Sequence, residues 1–399
     1  MDFYRHLLLT DGPEKTISFF QIYLISTIFS FQTLLTAYIG SSYMERFVDE
    51  ESVGTIFAIG SLGAISFIYF SSRILRSVGN VRYVIATMVT IASLLIIIGL
   101  APTPAIAVVA FTLFLMINPQ IYLAIDIFLE TLIGDDEAST GSKRGLILTF
   151  MGVAAFLAPL TMGYLIGETD NMPLVFFTAA GIGLIFSLIV LVGFRGFKDP
   201  QYRTVKLKDM LLSLSGNTSI KIVLYCQFLL QLFFTWMVIY FPLYLATEVG
   251  MDWDSIGKII AAGLFAYVIF EYPTGRLADQ KLGEKELMAL GLVILAISSS
   301  FISFLEGVTI TTWMMLIFVS RIGASMLEIT TESYFFKQVK GGDPSLISLF
   351  RLTRPIANLL GALIGSFTLL FLPFNLIFVV LGLILVTGAF ATIKLVDTK

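Results

Sequence analysis

Cysteine, histidine and charge are all scarce in this sequence. One cysteine (Cys226) and one histidine (His6) occur in 399 residues. A single cysteine excludes an internal disulfide framework, and the same scarcity leaves few residues for a zinc or haem centre or a Ser/His or Cys/His pair. The net charge of −3 gives no sign of a nucleic-acid partner. We therefore expect no metal, no cofactor and no enzyme activity.

Charged residues make up 13% of the chain and hydrophobic residues 57%. Soluble proteins usually carry about 25% charged residues, so this chain lacks the polar side chains to cover its surface in water. Apolar runs of about the membrane length recur instead, and they are continuous rather than alternating, which favours helices over a barrel. The twelve predicted runs are 17–40, 53–70, 82–100, 105–132, 145–166, 174–194, 221–245, 256–272, 286–304, 310–336, 346–370 and 373–394.

Lysine and arginine fall on alternate breaks between these runs. The breaks at 101–104 and 167–173 hold none, whereas the intervening ones hold Arg73, Arg76, Lys143 and Arg144. Because cytoplasmic loops carry the excess of basic residues, this pattern predicts that both termini are cytoplasmic. We expect a multi-pass protein of the cell membrane.

The chain also repeats itself at an offset of about 203 residues. Two six-helix halves in parallel repeat are one architecture of secondary transporters. We predict an N-terminal bundle over 1–195, a basic linker over 196–219 and a C-terminal bundle over 220–399. The matching pairs are Gly54 with Gly257, Gly60 with Gly263, Arg73 with Arg276, Asp126 with Glu328 and Glu130 with Glu332.

One loop carries a family resemblance. Between the eighth and ninth runs, Gly275-Arg276-Leu277-Ala278-Asp279 is followed by Gly283 and Lys285. This resembles the Gly-x-x-x-Asp-(Arg/Lys)-x-Gly-(Arg/Lys)-(Arg/Lys) motif of the major facilitator superfamily of transporters, with one residue inserted. The equivalent loop at 72–79 keeps basic residues and its glycine but lacks the aspartate. The resemblance spans the chain and implies an all-α fold of two pseudo-symmetric six-helix bundles.

Five charged residues fall within the predicted spans. Asp126 and Glu130 are four residues apart and so share a helix face, as do Glu328 and Glu332. Arg321 precedes Glu328 by seven residues, about two turns. A charge at membrane depth costs at least about 2.5–3.5 kcal/mol, so we expect each to face a cavity or a partner.

Two interpretations of these charges remain open. In one, the acids near the cytoplasmic helix ends pair with loop arginines, Asp126 or Glu130 with Arg73 or Arg76, and Glu328 or Glu332 with Arg276. In the other, an acid titrates as a proton carrier. The predicted inner gate charge network comprises Arg73, Arg76, Asp126, Glu130, Gly275, Arg276, Asp279, Gly283 and Glu332.

Arg321 and Glu328 lie nearer mid-helix, and we assign them to the substrate and ion pathway. The family resemblance implies that the first and seventh helices line the cavity. Interhelical hydrogen bonding is the alternative role of the polar residues there. The other pathway candidates are Gln32, Tyr38, Asn118, Gln120, Tyr122, Gln227, Gln231, Trp236, Tyr240 and Asn358.

These patterns predict a secondary active transporter that moves a small molecule by alternating access and is coupled to protons. No phosphate-binding loop is present to supply ATP energy. In the fifth run, Gly152, Pro159 and Gly163 resemble a degraded exporter motif and favour efflux of amphipathic compounds. Uptake of a nutrient or metabolite and a non-transporting sensor are the alternatives. We expect a monomer whose partners are its substrate, H⁺ and membrane lipids.

Overall fold

The structure is a computed structural model that describes residues 17–133, 137–167, 171–200, 217–278, 282–338 and 344–396. These residues form helices joined by short connections, and no strand occurs among them. The helices are α1 Phe19–Ala37, α2 Gly40–Glu45, α3 Glu50–Val78, α4 Asn80–Leu100, α5 Pro104–Ile117, α6 Pro119–Ile133, α7 Glu137–Ile166, α8 Met172–Gly193, α9 Thr218–Thr247, α10 Trp253–Leu277, α11 Glu284–Ile302, α12 Ile310–Gln338, α13 Pro344–Leu369 and α14 Ile377–Thr392.

Most of these helices are long and apolar enough to cross a membrane. The described residues contain 11 such spans, and Phe150–Ile166 within α7 is a shorter apolar helix. This confirms the predicted all-α membrane fold with about twelve crossings. The orientation of the termini stays a prediction.

The fourth predicted run, 105–132, is not one continuous helix. It is divided into α5 and α6 at Asn118 and Pro119. Proline has no N–H group to donate to the preceding turn and its ring crowds the carbonyl four residues back, so the α-helical ladder is interrupted there. The break sets Asn118 at the C-cap of α5, where its backbone N–H still donates to the Phe114 carbonyl at 2.9 Å.

The chain divides into two compact units. Described residues within Met1–Ala37 and Leu62–Arg203 form unit 1, and those within Tyr38–Ser61 and Thr204–Lys399 form unit 2. The segment 38–61 therefore belongs to unit 2, where Ser366 Oγ donates to the Glu51 carbonyl and Gly54 lies against Tyr240. A side chain at Gly54 would clash with that tyrosine hydroxyl.

Each unit shows the same helix pairings. In unit 1, α1 packs on α7 and α4 on α8; in unit 2, α9 packs on α13 and α11 on α14. Gly79 before α4 and Gly283 before α11 both have positive φ, 78° and 86°. A left-handed residue at the same point of both units is the backbone counterpart of the sequence repeat.

Glycines bring α11 and α12 into backbone contact. A Cβ on Gly291 would lie 2.8 Å from the Gly323 carbonyl oxygen, and a Cβ on Gly323 would lie 2.8 Å from the Gly291 carbonyl oxygen. Small residues at such crossings allow close helix approach in membranes, where the hydrophobic effect does not drive helices together. The crossing holds α12, which carries Arg321 and Glu328, against its neighbour.

Candidate substrate and ion site

Arg321 lies in the interior of unit 2. Its side chain is only 3% exposed, and its Cζ lies 5.0 Å from the Phe233 ring centroid and 5.8 Å from that of Phe234. Both rings come from α9 and offer their electron-rich faces to the guanidinium. Gly263 on α10 makes room for the arginine stem, since a Cβ there would lie 3.2 Å from Arg321 Cγ.

The hydrogen-bonding capacity of Arg321 is only partly used by the described protein. Arg321 Nε is buried without a hydrogen-bond partner, and so is the Tyr267 hydroxyl of α10. The guanidinium is close enough to act electrostatically on the hydroxyls of Tyr267 and Tyr38. Buried polar atoms are nearly always paired, so two orphans side by side indicate an unfilled requirement for an acceptor.

Glu328 follows two turns further along α12, about 10 Å away along the axis. It is half-buried and interacts electrostatically with Glu271 on α10, with Glu332, and with the cations Arg321 and Arg354. No ion pair of Glu328 is found in the described part of unit 2. Tyr267 interacts electrostatically with both Arg321 and Glu328.

Three pathway candidates on α9 and α13 form hydrogen bonds between helices. Thr235 Oγ1 donates to Asn358 Oδ1 at 2.7 Å, and Trp236 Nε1 donates to the Gly361 carbonyl at 2.8 Å. Thr331 Oγ1 donates to Gln227 Oε1 at 3.0 Å. The last bond joins α9 to α12.

Tyr240 and Gln231 complete the α9 set. The Tyr240 hydroxyl donates to the Ala362 carbonyl at 2.6 Å, which again joins α9 to α13. Gln231 is buried, and its carbonyl accepts the Thr235 hydroxyl at 2.8 Å. The Tyr240 contact corresponds to the interhelical role that the sequence left open for such residues, whereas the Gln231 contact lies within α9.

The unit 1 candidates gather around the broken helix. Asn118 Nδ2 donates to Thr33 Oγ1 at 3.4 Å, and the Tyr83 hydroxyl donates to Gln120 Oε1 at 3.2 Å. Tyr122 meets the ring of Phe29 edge-on at 4.7 Å between centroids. Gln32 is buried, and its Nε2 has no partner among the described residues.

The predicted gate residues are placed as follows. The Arg73 guanidinium lies 5.7 Å from the Phe70 ring centroid, Asp126 is half-buried, and Arg76 is exposed. Arg276 is exposed at the end of α10 and forms no ion pair with Glu328 in the described coordinates. Glu332 is half-buried on α12, and a Cβ on Gly275 would lie 3.4 Å from Ile329 Cγ2. Asp279 and the side chain of Glu130 lie outside the described residues, so the gate stays a prediction.

Asp199 is a functional contact that sequence reasoning missed. Its carboxylate accepts the Asn80 backbone N–H at 2.7 Å, at the start of α4. A carboxylate at a helix N-terminus is favourable because it meets unpaired N–H groups and the positive end of the dipole. The loop at 72–79 lacks its own aspartate, and Asp199, distant in sequence, stands at that helix start.

Tyr267 and the Glu284 contact were also missed. Glu284 at the start of α11 is 1% exposed and forms an ion pair with Lys337 of α12, and it accepts the Ser333 hydroxyl at 2.9 Å. A signal for Tyr267 was available, because it lies one turn after Gly263, a glycine that the repeat already singled out. Only the packing of α10 against α12 shows that this spacing places Tyr267 near Arg321.

Comparisons with known proteins agree with this fold. Residues 223–399 match the family described as Major Facilitator Superfamily. No curated protein matches the sequence significantly. Among solved structures, a crystal structure of the nucleoside transporter NupG as a point mutant is similar with a TM-score of 0.75 at 13% identity, covering 93% of this chain and 99% of that one. A second NupG crystal structure has a TM-score of 0.71 at 12% identity, covering 94% and 98%. The C-terminal 177 residues thus match the Major Facilitator Superfamily model, and the whole chain shares the fold of these solved transporters.

Proposed function

We propose that the protein is a secondary active transporter that imports a small polar solute across the cell membrane by alternating access, coupled to protons. The observation that carries this proposal is a group of polar side chains on α10 and α12, formed by the buried Arg321 and the half-buried Tyr267 and Glu328. Ionised groups at membrane depth are costly and mark substrate or ion pathways. A protein with no transport role has no physical reason to keep them unpaired.

We favour import over efflux because of the class of solute carried by the similar structures. The similar structures are of a nucleoside transporter, and nucleosides are polar solutes, whereas the efflux hypothesis requires amphipathic ones. The exporter-like run in α7 also receives little support, because a Cβ at Gly152 would meet nothing within 4 Å. That glycine is not holding a tight helix contact. Uptake is therefore favoured over efflux.

Glu328 is the residue to which we assign proton coupling. It lies beside two other carboxylates, Glu271 and Glu332, and beside the cations Arg321 and Arg354. A proton on Glu328 removes a negative charge from a crowded acidic group. A change in the distance to either arginine during the transport cycle would return that charge, which is the requirement for a coupling site.

Flux in proteoliposomes tests the proposal. The full chain is reconstituted, and uptake of radiolabelled solutes, beginning with uridine and small carboxylates, is measured with and without an acidic exterior. We expect the pH gradient to drive accumulation in wild type, and Glu328→Gln to leave only downhill exchange. Glu286→Gln, on the exposed face of α11, is the matched control and should keep accumulation.

Three results would contradict parts of this proposal. Accumulation that survives in Glu328→Gln removes the proton role of that residue. Accumulation driven by an interior acid load indicates efflux. A folded, reconstituted protein that moves no solute in either direction favours the non-transporting sensor. The proposal also includes a monomer in contact with lipid, without cofactor or catalysis.

A further inference from the structure

The Arg321 site is rich in hydrogen-bond donors and holds no carboxylate paired with the guanidinium among the described residues. Arg321 Nε and the Tyr267 hydroxyl are buried and unpartnered, and the Tyr38 hydroxyl is within electrostatic reach of the same guanidinium. The aromatic faces of Phe233 and Phe234 compensate part of the positive charge, but they accept no strong hydrogen bond. A buried charge without a hydrogen-bonded partner is unfavourable, so the site is arranged for a group that arrives from outside the described protein.

We propose that this site binds the carboxylate of a monoanionic cargo, an inference that rests on the proposed transport function and names its substrate class. One edge of the guanidinium presents Nε and a neighbouring nitrogen as parallel donors, the pattern that carboxylate oxygens match. The Tyr267 hydroxyl supplies a further donor from the adjacent helix. The bound carboxylate therefore satisfies both orphaned atoms at once.

The surrounding charges restrict the cargo to one negative charge. A single guanidinium neutralises one carboxylate, and the other nearby cation, Arg354, acts on Glu328. Glu328 interacts electrostatically with both Arg321 and Tyr267, so its carboxylate opposes any further negative charge on the ligand. A phosphate dianion is disfavoured for this reason. A neutral solute leaves the guanidinium charge uncompensated.

Binding is measured directly on the full-length protein in detergent, as the saturable rise of its thermal unfolding midpoint. The probes are acetate, lactate, phenylacetate and benzoate, each beside its neutral amide, together with methylphosphonate and uridine. We expect at least one carboxylate to stabilise wild type while its amide does not. Arg321→Gln should raise the apparent Kd of that carboxylate at least about tenfold, since hydrogen bonds to charged groups are among the stronger ones. The apparent Kd of Arg321→Lys should lie between those of wild type and Arg321→Gln, because lysine keeps the positive charge but loses the pair of parallel N–H donors.

Tyr267→Phe and Lys258→Gln keep the test decisive if Arg321 variants fold poorly. The Tyr267 hydroxyl faces only the Arg321 guanidinium and has no other hydrogen-bond partner, so Tyr267→Phe, which keeps the ring, should fold and should weaken carboxylate binding several-fold. Lys258→Gln removes an exposed positive charge of α10 that pairs with Asp254, and it should leave binding unchanged. The proposal is overturned if no carboxylate stabilises wild type, if an amide, methylphosphonate or uridine binds as well, or if Tyr267→Phe binds as wild type does.

The outcome separates this inference from the transport proposal. Carboxylate binding that depends on Tyr267, without flux in proteoliposomes, supports the anion site and refutes transport. Flux of uridine with no carboxylate binding refutes the anion site and leaves transport standing.

Discussion

The contact between α11 and α12 leads to a specific prediction for Gly323→Val. A Cβ on Gly323 would lie 2.8 Å from the Gly291 carbonyl oxygen, 2.9 Å from Ile294 Cγ2 and 3.0 Å from Ile294 Cβ. The Gly291 oxygen belongs to the backbone, and Ile294 Cβ is bonded directly to its own backbone, so neither atom can rotate away. The two helices must separate by several tenths of an ångström. Valine then adds two more carbons at the same point.

The expected magnitude is that of overpacking a close-packed interior, about 1–3 kcal/mol. Valine recovers only a few tenths of that by replacing glycine in a helix. Gly323→Val should therefore lower the free energy of unfolding by about 2 kcal/mol, near the middle of that range. Because Gly323 lies two residues after Arg321, the displaced helix should also weaken any ligand binding at Arg321.

The assay is thermal unfolding of purified protein in one detergent, with Gly152→Val as the matched control. A Cβ on Gly152 would meet nothing within 4 Å, so the same substitution there should change stability by no more than about 0.5 kcal/mol. Equal unfolding midpoints for the two variants would refute the reasoning. Such a result would mean that α11 and α12 do not touch through their backbones.

Two further predictions concern helix starts. Gly79→Ala should destabilise the protein by more than Gly250→Ala. Both glycines have positive φ, 78° and 69°, but a Cβ on Gly79 would also lie 2.5 Å from an Asp199 carboxylate oxygen, whereas one on Gly250 would meet nothing within 4 Å. Equal unfolding midpoints would contradict the Asp199 contact. Asp252→Ala should cost about 1 kcal/mol, since the Asp252 carboxylate caps α10 by accepting the Ser255 N–H at 2.9 Å. Hydrogen bonds from Ser255 lower the pKa of Asp252, so the stabilisation by this cap should be present above about pH 4, the unfolded pKa. It should be lost as pH falls through the folded pKa. The unfolding midpoints of wild type and Asp252→Ala should therefore converge in acid.

The helical framework could be predicted because its cause is local in sequence. Long apolar runs must satisfy their backbone groups internally in lipid, and only a helix does so within one segment. The break at Pro119 was also readable in principle, since proline removes a backbone donor wherever it occurs. The predicted run 105–132 matches one candidate membrane span, Pro104–Leu129, within which the helix is divided.

The candidate site was predicted only in part. Arg321 and Glu328 were identified because charge is costly within an apolar run. Their surroundings were not, since Tyr267 and Phe233 lie on helices far away in sequence. The roles of Trp236 and Tyr240 depended on which carbonyl each side chain reached, and both reach α13. No local pattern distinguishes a cavity tyrosine from one that joins two helices.

The sequence by itself determined that the chain spans a membrane as a repeated helical protein, because hydropathy and spacing are properties of consecutive residues. The tertiary structure alone decided which costly groups are satisfied. It placed Asp199 on the start of α4 and left Arg321 and Tyr267 side by side without an acceptor. Burial and hydrogen bonding depend on atoms that only folding brings together, and the difference between a structural arginine and a binding arginine is of that kind.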